Sequence, residues 1–192
     1  MDRNILIIGA GGIGSHLIRI LESVTGDGTK EQLYSINVSD PDTVEEKNLT
    51  YQDFTKEDIG KKKVHCMKKH SQVNGTNPYP ILTETQLKGY DLVVCCVDNL
   101  DARRLLYRSQ VKWLDLRSQG RNAAFISYKA DPSMYDTMLA GPDGSFSCQG
   151  DSWDGSSEGL HFMHVAIAGM AAEWIQRWFN GESVNDFMVV NV

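Results

Sequence analysis

Gly9-Ala10-Gly11-Gly12-Ile13-Gly14 fits the pattern G-x-G-x-x-G and stands between an apolar run, Asn4 to Ile8, and an amphipathic stretch, Gly14 to Ser23. Glycines so spaced allow a tight strand-to-helix turn, let backbone N–H groups approach a phosphate, and let helix and strand pack closely. The same loop serves NAD, FAD and ATP, so it points to a nucleotide without choosing one; a bare βα turn is the bland alternative. A second group of residues is more selective. Asp40 and Asp42 end a candidate strand, the amides Asn48 and Gln52 follow, and then comes the cluster Lys61-Lys62-Lys63. Asp98-Asn99 closes a further apolar run. Asp40 is placed to hold a ribose hydroxyl. Carboxylates that can hold a divalent cation, beside lysine that can neutralise phosphate, suit ATP chemistry better than hydride transfer.

These residues need elements to position them. Asn4 to Ile8 and Tyr90 to Val97 are near-continuous apolar runs, the pattern of strands buried on both faces. Gln32 to Val38, Trp113 to Arg117, Ala123 to Tyr128 and Phe187 to Val192 read as further strands. Leu17, Ile18 and Leu21 mark a helix over 14–23; helices are also expected over 61–73, closed by the turn signal Asn74-Gly75, over 100–111 and over 160–180. Strands alternating with helices predict an α/β fold, a Rossmann-like doubly wound and mostly parallel sheet with helices on both faces. No interdomain linker stands out, so a single domain over 1–192 is expected, with 141–159, rich in Gly, Ser and Asp, as a flexible crossover loop.

Composition narrows the partners. The 192 residues carry 19 Lys+Arg against 25 Asp+Glu, a net charge of -6, which argues against a nucleic-acid or anionic-membrane surface. No apolar run reaches the roughly 18 to 20 residues a membrane span needs. The N-terminus lacks the long apolar core of a signal peptide, and Cys66, Cys95, Cys96 and Cys148 lack C-x-x-C spacing. A cytoplasmic protein without a disulfide framework or structural zinc is therefore expected. His161 and His164, at i, i+3, make at most half a metal site.

Together these motifs resemble the ThiF/MoeB-type, ubiquitin-activating-enzyme-like adenylyltransferases. The likeness rests on Gly9-x-Gly11-Gly12-Ile13-Gly14-Ser15, on Asp40-x-Asp42-x-Val44-x3-Asn48-Leu49-x2-Gln52, on Asp58-Ile59-Gly60-x2-Lys63, on Asp98-Asn99-x3-Arg103 and on the helix around Gly169 to Glu173. The resemblance implies MgATP-dependent activation of the C-terminal carboxylate of a ubiquitin-like or sulfur-carrier protein, or a short peptide, ending in glycine. The products are an acyl-adenylate and pyrophosphate. It implies that Gly9, Gly11, Gly12 and Gly14 shape the phosphate loop, that Asp40 binds the ribose with Asp42 nearby, and that Asn48 and Gln52 contact phosphates or position the acyl group. It further implies that Lys63 neutralises the α- and β-phosphates, that Asp98 holds Mg²⁺, and that the protein is a homodimer.

The chain departs from the family pattern at three places. Tyr51 stands where an arginine precedes the glutamine; Arg3, Lys47, Arg117 or Arg121 supplies the missing charge, or adenylation is impaired. With the first strand expected from Asn4, the helices that precede it in many members are not expected here, nor are the paired zinc cysteines. Cys148 is either a plain loop thiol or, as in some members, a nucleophile toward the activated partner. Each polar residue also has a plainer reading: Asp40 and Asp42 as strand-end caps, Asn48 as a turn residue, Lys63 as a solvated helix start, Asp98 as a helix N-cap. A non-catalytic relative of the same fold and an NAD(P)-linked oxidoreductase remain as alternative functions.

Overall fold

The computed structural model describes residues 3–24, 33–139, 148–149, 153, 156 and 158–192. The chain opens with β1 (Arg3–Ile8) and α1 (Gly12–Val24), then β2 (Tyr34–Ser39), a short α2 (Lys63–Cys66) and β3 (Val73–Asn77). β4 (Leu92–Cys95), α3 (Leu100–Arg108), β5 (Trp113–Gln119) and β6 (Asn122–Ser127) follow. α4 (Pro132–Leu139), α5 (Met163–Phe179) and β7 (Phe187–Asn191) complete it. The strands form one 7-stranded sheet in the order β3-β2-β1-β4-β5-β6-β7. The first five run parallel, whereas β6 and β7 are antiparallel to their neighbours. The expected Rossmann-like, doubly wound fold is the fold observed.

Both faces of the sheet are covered, which is why the inner strands read as unbroken apolar runs. Ile5 and Ile7 of β1 face a core shared with α1 and α5, while Leu6 and Ile8 face a second core under α3 and α4. On α1 the stripe Ile13, Leu17, Ile18 and Leu21 is fully buried, and Ala168, Ala171 and Ala172 of α5 let the two helices approach. Truncating a residue such as Leu17 to alanine in a site this closed costs about 2 to 5 kcal/mol. Cys95 and Cys96 fall in different cores, on opposite faces, as adjacent strand residues must.

The region after β2 differs from expectation. A helix over 61–73 does not form: α2 spans one turn, Met67–Lys69 is a 3-10 turn, and 73–77 is a strand. Asn74-Gly75 therefore lies inside β3 rather than ending a helix. A Cβ at Gly75 would stand 1.9 Å from the Asn37 side-chain oxygen of the neighbouring strand, so the Asn37 amide would have to move to admit one. β3 is an edge strand of polar, half-exposed residues, so it lacks the apolar alternation by which strands are read. α4 was not anticipated, and most of the expected crossover loop at 141–159 lies outside the described residues. Among the described residues no helix is long and apolar enough to cross a membrane.

Candidate functional site

The strand order reverses between β1 and β4, and in open α/β sheets the crevice at such a point, beyond the carboxyl ends of the strands, is where ligands bind. The glycine loop enters this crevice directly from β1. Gly9 has φ +95, and its N–H donates to the Ser39 carbonyl at 2.8 Å. A Cβ at Gly14 would lie 1.9 Å from the Gly9 carbonyl oxygen, so only glycine lets α1 begin this close to the turn. At Gly11 a Cβ would meet nothing within 4 Å: that backbone faces open space.

Asp40 follows β2 and is 5% exposed. Its carboxylate accepts from the Ala10 N–H at 2.7 Å and from the Asp42 N–H at 2.8 Å, locking the glycine loop to the end of β2. It is thus a strand-end cap and a wall of the crevice at once. Burial pushes its pKa up, with the Lys63 charge pulling the other way.

Lys63 is brought in by a local zipper. Thr43 bridges Lys62, Val44 N–H donates to the Lys61 carbonyl, Gly60 N–H donates to the Val44 carbonyl, and Lys63 N–H donates to the Asp42 carbonyl. The pairing turns the third lysine inward: the Lys63 side chain is 8% exposed, and its Nζ lies 3.0 Å from Asp42 Oδ2. The solvated reading of Lys63 is therefore wrong. Asn48 and Gln52 sit on and just after the 3-10 turn Glu46–Thr50. Asn48 Oδ1 accepts from the Glu45 N–H at 2.8 Å, a capping role. Gln52 is buried, and its Oε1 has no hydrogen-bond partner among the described residues. A buried acceptor without a donor costs about 1 to 3 kcal/mol, so this atom marks a place for a ligand donor or water. Asp98 is not the cap of α3; Asn99 is, accepting from the Ala102 N–H at 3.0 Å. Asp98 is exposed at the mouth of the crevice.

All of these residues line one cavity of about 660 Å³: Gly9, Gly11 and Gly12, Asp40 and Asp42, Asn48 and Gln52, Lys63 and Asp98, with Cys148 at its wall. Gly14 stands behind it, shaping the turn. Of the four cations considered as substitutes for the missing arginine, only Lys47 lines this cavity, paired with Glu45 at 2.7 Å. Arg3 bonds Asn180. Arg117 is held by Asp115 and Tyr107 beside a smaller neighbouring cavity, and Arg121 lines a third. Arg103 is buried with its Nε 3.1 Å from Asp115, which ties α3 to β5.

Tyr51 lies in a cluster that sequence reasoning missed. Its ring meets Trp153 edge-on at 5.3 Å and His164 at 6.0 Å, and its carbonyl accepts from His16 Nε2 at 3.1 Å. His16 lies on α1 and His164 on α5, so no local pattern links them to residue 51. Cys148 packs against Gly12, where a Cβ would come within 3.3 Å of its Sγ. Burial pushes the Cys148 thiol up, with Asp98 acting in the same direction, so at rest it is a neutral thiol. Among the described residues all four cysteines are free, and no group of three or more His, Cys, Asp or Glu is placed to hold a metal.

The model of the ThiF family matches residues 2–189. The chain belongs to the ThiF family. A SUMO-activating enzyme subunit 2 from Dictyostelium discoideum is 35% identical over 115 residues, covering 54% of this chain and 16% of that protein. Among solved structures, Escherichia coli MccB with MccA-N7isoASN superposes with a TM-score of 0.71 at 17% identity, covering 100% of this chain and 62% of that one. MccB with ATP gives 0.67 at 18%, covering 100% and 60%. PaaA gives 0.70 at 14%, covering 98% and 60%. At these identities the superpositions establish the fold. This ThiF-family chain spans 60 to 62% of those structures and 16% of the curated relative.

Proposed function

We propose that the chain is an ATP-dependent adenylyltransferase that activates the C-terminal carboxylate of a ubiquitin-like or sulfur-carrier protein, or of a short peptide. The observation that carries this reading is the convergence of a buried cation, Lys63, and the buried amide side chain of Gln52 on the cavity that Gly11 opens at the β1/β4 switch point. The relatives fit it: one is named a SUMO-activating enzyme subunit, and MccB has been solved with ATP and with MccA.

A nucleotide suits the residues present. The glycine loop offers backbone N–H groups to phosphate, Asp40 offers a carboxylate to the ribose, and Lys63 offers charge to the α- and β-phosphates. Asp98 alone is a sparse ligand set, as expected for Mg²⁺, which takes one or two carboxylates and completes its shell with phosphates and water. Bound there, the ion would neutralise phosphate charge. In the reaction a substrate carboxylate oxygen donates its electron pair to the α-phosphorus, while the bond from that phosphorus to the α–β bridging oxygen breaks. Pyrophosphate leaves with the electron pair of the broken bond. The attacking group is already ionised at neutral pH, so no general base is required. The protein aligns two anions and screens their repulsion, through Lys63 and the loop amides.

ATP–pyrophosphate exchange with a glycine-ended carrier protein or peptide tests the proposal. Lys63→Ala and Asp98→Ala should each lower exchange by about 100-fold or more; unchanged rates in both overturn it. The packing of Tyr51 into an aromatic cluster, in place of a phosphate-facing guanidinium, favours a second reading, a non-catalytic binding subunit. ATP binding without exchange by the unaltered chain selects that one.

A further inference from the structure

His70 lies outside the cavity and has no part in the chemistry above. It follows the 3-10 turn Met67–Lys69, and its side chain is 7% exposed. Its Nδ1 stands 2.6 Å from Glu22 Oε2 on α1, and its Nε2 stands 3.1 Å from Asp53 Oδ2, just beyond Gln52. Both partners are held as carboxylates. Asp53 is faced by two further cations, Arg19 Nη1 and Lys69 Nζ, each at 3.2 Å, and Glu22 Oε1 accepts from the Ser71 N–H at 2.7 Å. An ionised carboxylate can only accept, and a neutral imidazole has a single N–H to give. Two short contacts to two ionised acceptors require a proton on each ring nitrogen.

The groups around this ring come from every element packed on it. α1 supplies Glu22 and Arg19, whose Nη1 is 3.2 Å from Asp53; the loop after Thr50 supplies Asp53; the 3-10 turn supplies Lys69, whose Nζ is also 3.2 Å from Asp53. Three segments that carry the cavity meet here. Asp53 is the neighbour of Gln52, and its N–H donates to Ser15 Oγ, one residue past Gly14, at 3.1 Å. Lys69 Nζ donates to the Asp53 carbonyl at 2.7 Å. His70 ends the stretch that begins with Lys63.

We infer that His70 is held as an imidazolium between Glu22 and Asp53 and is the positioning residue of the nucleotide cavity, fixing the Gln52 and Lys63 segments to the helix behind the glycine loop. Loss of one ring proton turns a lone pair toward an ionised carboxylate, and one side of the clamp opens. The inference rests on the nucleotide reading of the cavity for its consequence and on the ring's two contacts for its charge.

The two parts are separable by experiment on the full chain. ¹⁵N spectra of the imidazole at neutral pH should show both His70 nitrogens protonated; a neutral tautomer overturns the clamp. Calorimetry with ATP at neutral pH reads the positioning. His70→Gln should bind ATP roughly tenfold more weakly than wild type. Equal affinities for wild type and variant overturn the positioning role. Should His70→Gln fail to fold, Glu22→Gln, at a partly exposed partner, decides: a loss of about threefold is expected, and no loss overturns the role. Wild type that binds no ATP overturns the reading of the cavity instead, while the spectra still report on the ring.

Discussion

His70 and His164 are both buried, and both brace the segment Tyr51 to Asp53, yet the structure gives them opposite charge. His70 has a carboxylate at each nitrogen. His164 has His16 at 5.4 Å and the Tyr51 ring at 6.0 Å. Its Nδ1 faces the Gln149 amide nitrogen at 3.3 Å. That amide is oriented by its other bonds: Oε1 accepts from the His161 N–H, and Nε2 donates to the His161 carbonyl. Nε2 is therefore a donor, so His164 Nδ1 must be an acceptor and the ring neutral. Burial first, and the nearby His16 second, push its pKa down to about 4. Burial by itself does not set the charge of a histidine; the partners enclosed with it do.

The contrast can be broken at its charged end. Asp53→Ala removes the shared acceptor of His70, Lys69 and Arg19 and leaves a buried cation facing Glu22 alone. A loss of about 3 kcal/mol in denaturant midpoints at neutral pH is expected, against less than about 1 kcal/mol for His164→Leu. Similar losses in both variants contradict the assignment of charge.

Acid sharpens the comparison. His164 has a folded pKa of about 4, below the unfolded value of 6.5, so its neutral burial stabilises the fold fully above about pH 6.5. This contribution, about 2 to 3 kcal/mol, fades as the pH falls toward about 4. Asp53 and Glu22 are also depressed, from 3.8 and 4.5, so their contribution persists until the pH drops below those values. Thermal melts against pH should therefore fall in two stages, and His164→Leu should shrink the first, to which His16, also depressed by burial, contributes as well.

A smaller effect probes the neutral cluster from the cavity side. Tyr51→Arg places a fixed cation beside Lys47 and Lys63 and should raise pyrophosphate exchange about tenfold if the adenylation reading holds. Exchange that stays absent despite tight ATP binding favours the binding-subunit reading. Smallest of all is Arg19→Ala: its ion pair with Asp53 is 61% exposed on the arginine side, and its removal should change stability by less than about 0.5 kcal/mol.

Much of the cavity at the switch point was legible in the chain because its signals are local. Glycine spacing, the polar residues that end buried strands, and the apolar runs of β1 and β4 each report a constraint that a few consecutive residues impose on themselves. The family likeness added roles for Asp40, Lys63 and Asp98, and the structure brings those three to one cavity. Where the local signal was weak, the reading failed. The polar edge strand β3 passed for a helix end, and the cap offered to Asp98 belongs to Asn99, whose side chain accepts from the Ala102 N–H.

By itself the sequence determined the fold class, the switch-point loop and the identity of the polar groups at the strand ends, because those follow from periodicity and from what glycine alone permits. The tertiary structure decided which of three adjacent lysines turns inward, what surrounds Tyr51, and which histidines carry charge. Those outcomes depend on groups that lie far apart in the chain, such as Glu22 and His70 or His16 and His164. Only their enclosure together, away from water, fixes which protons stay.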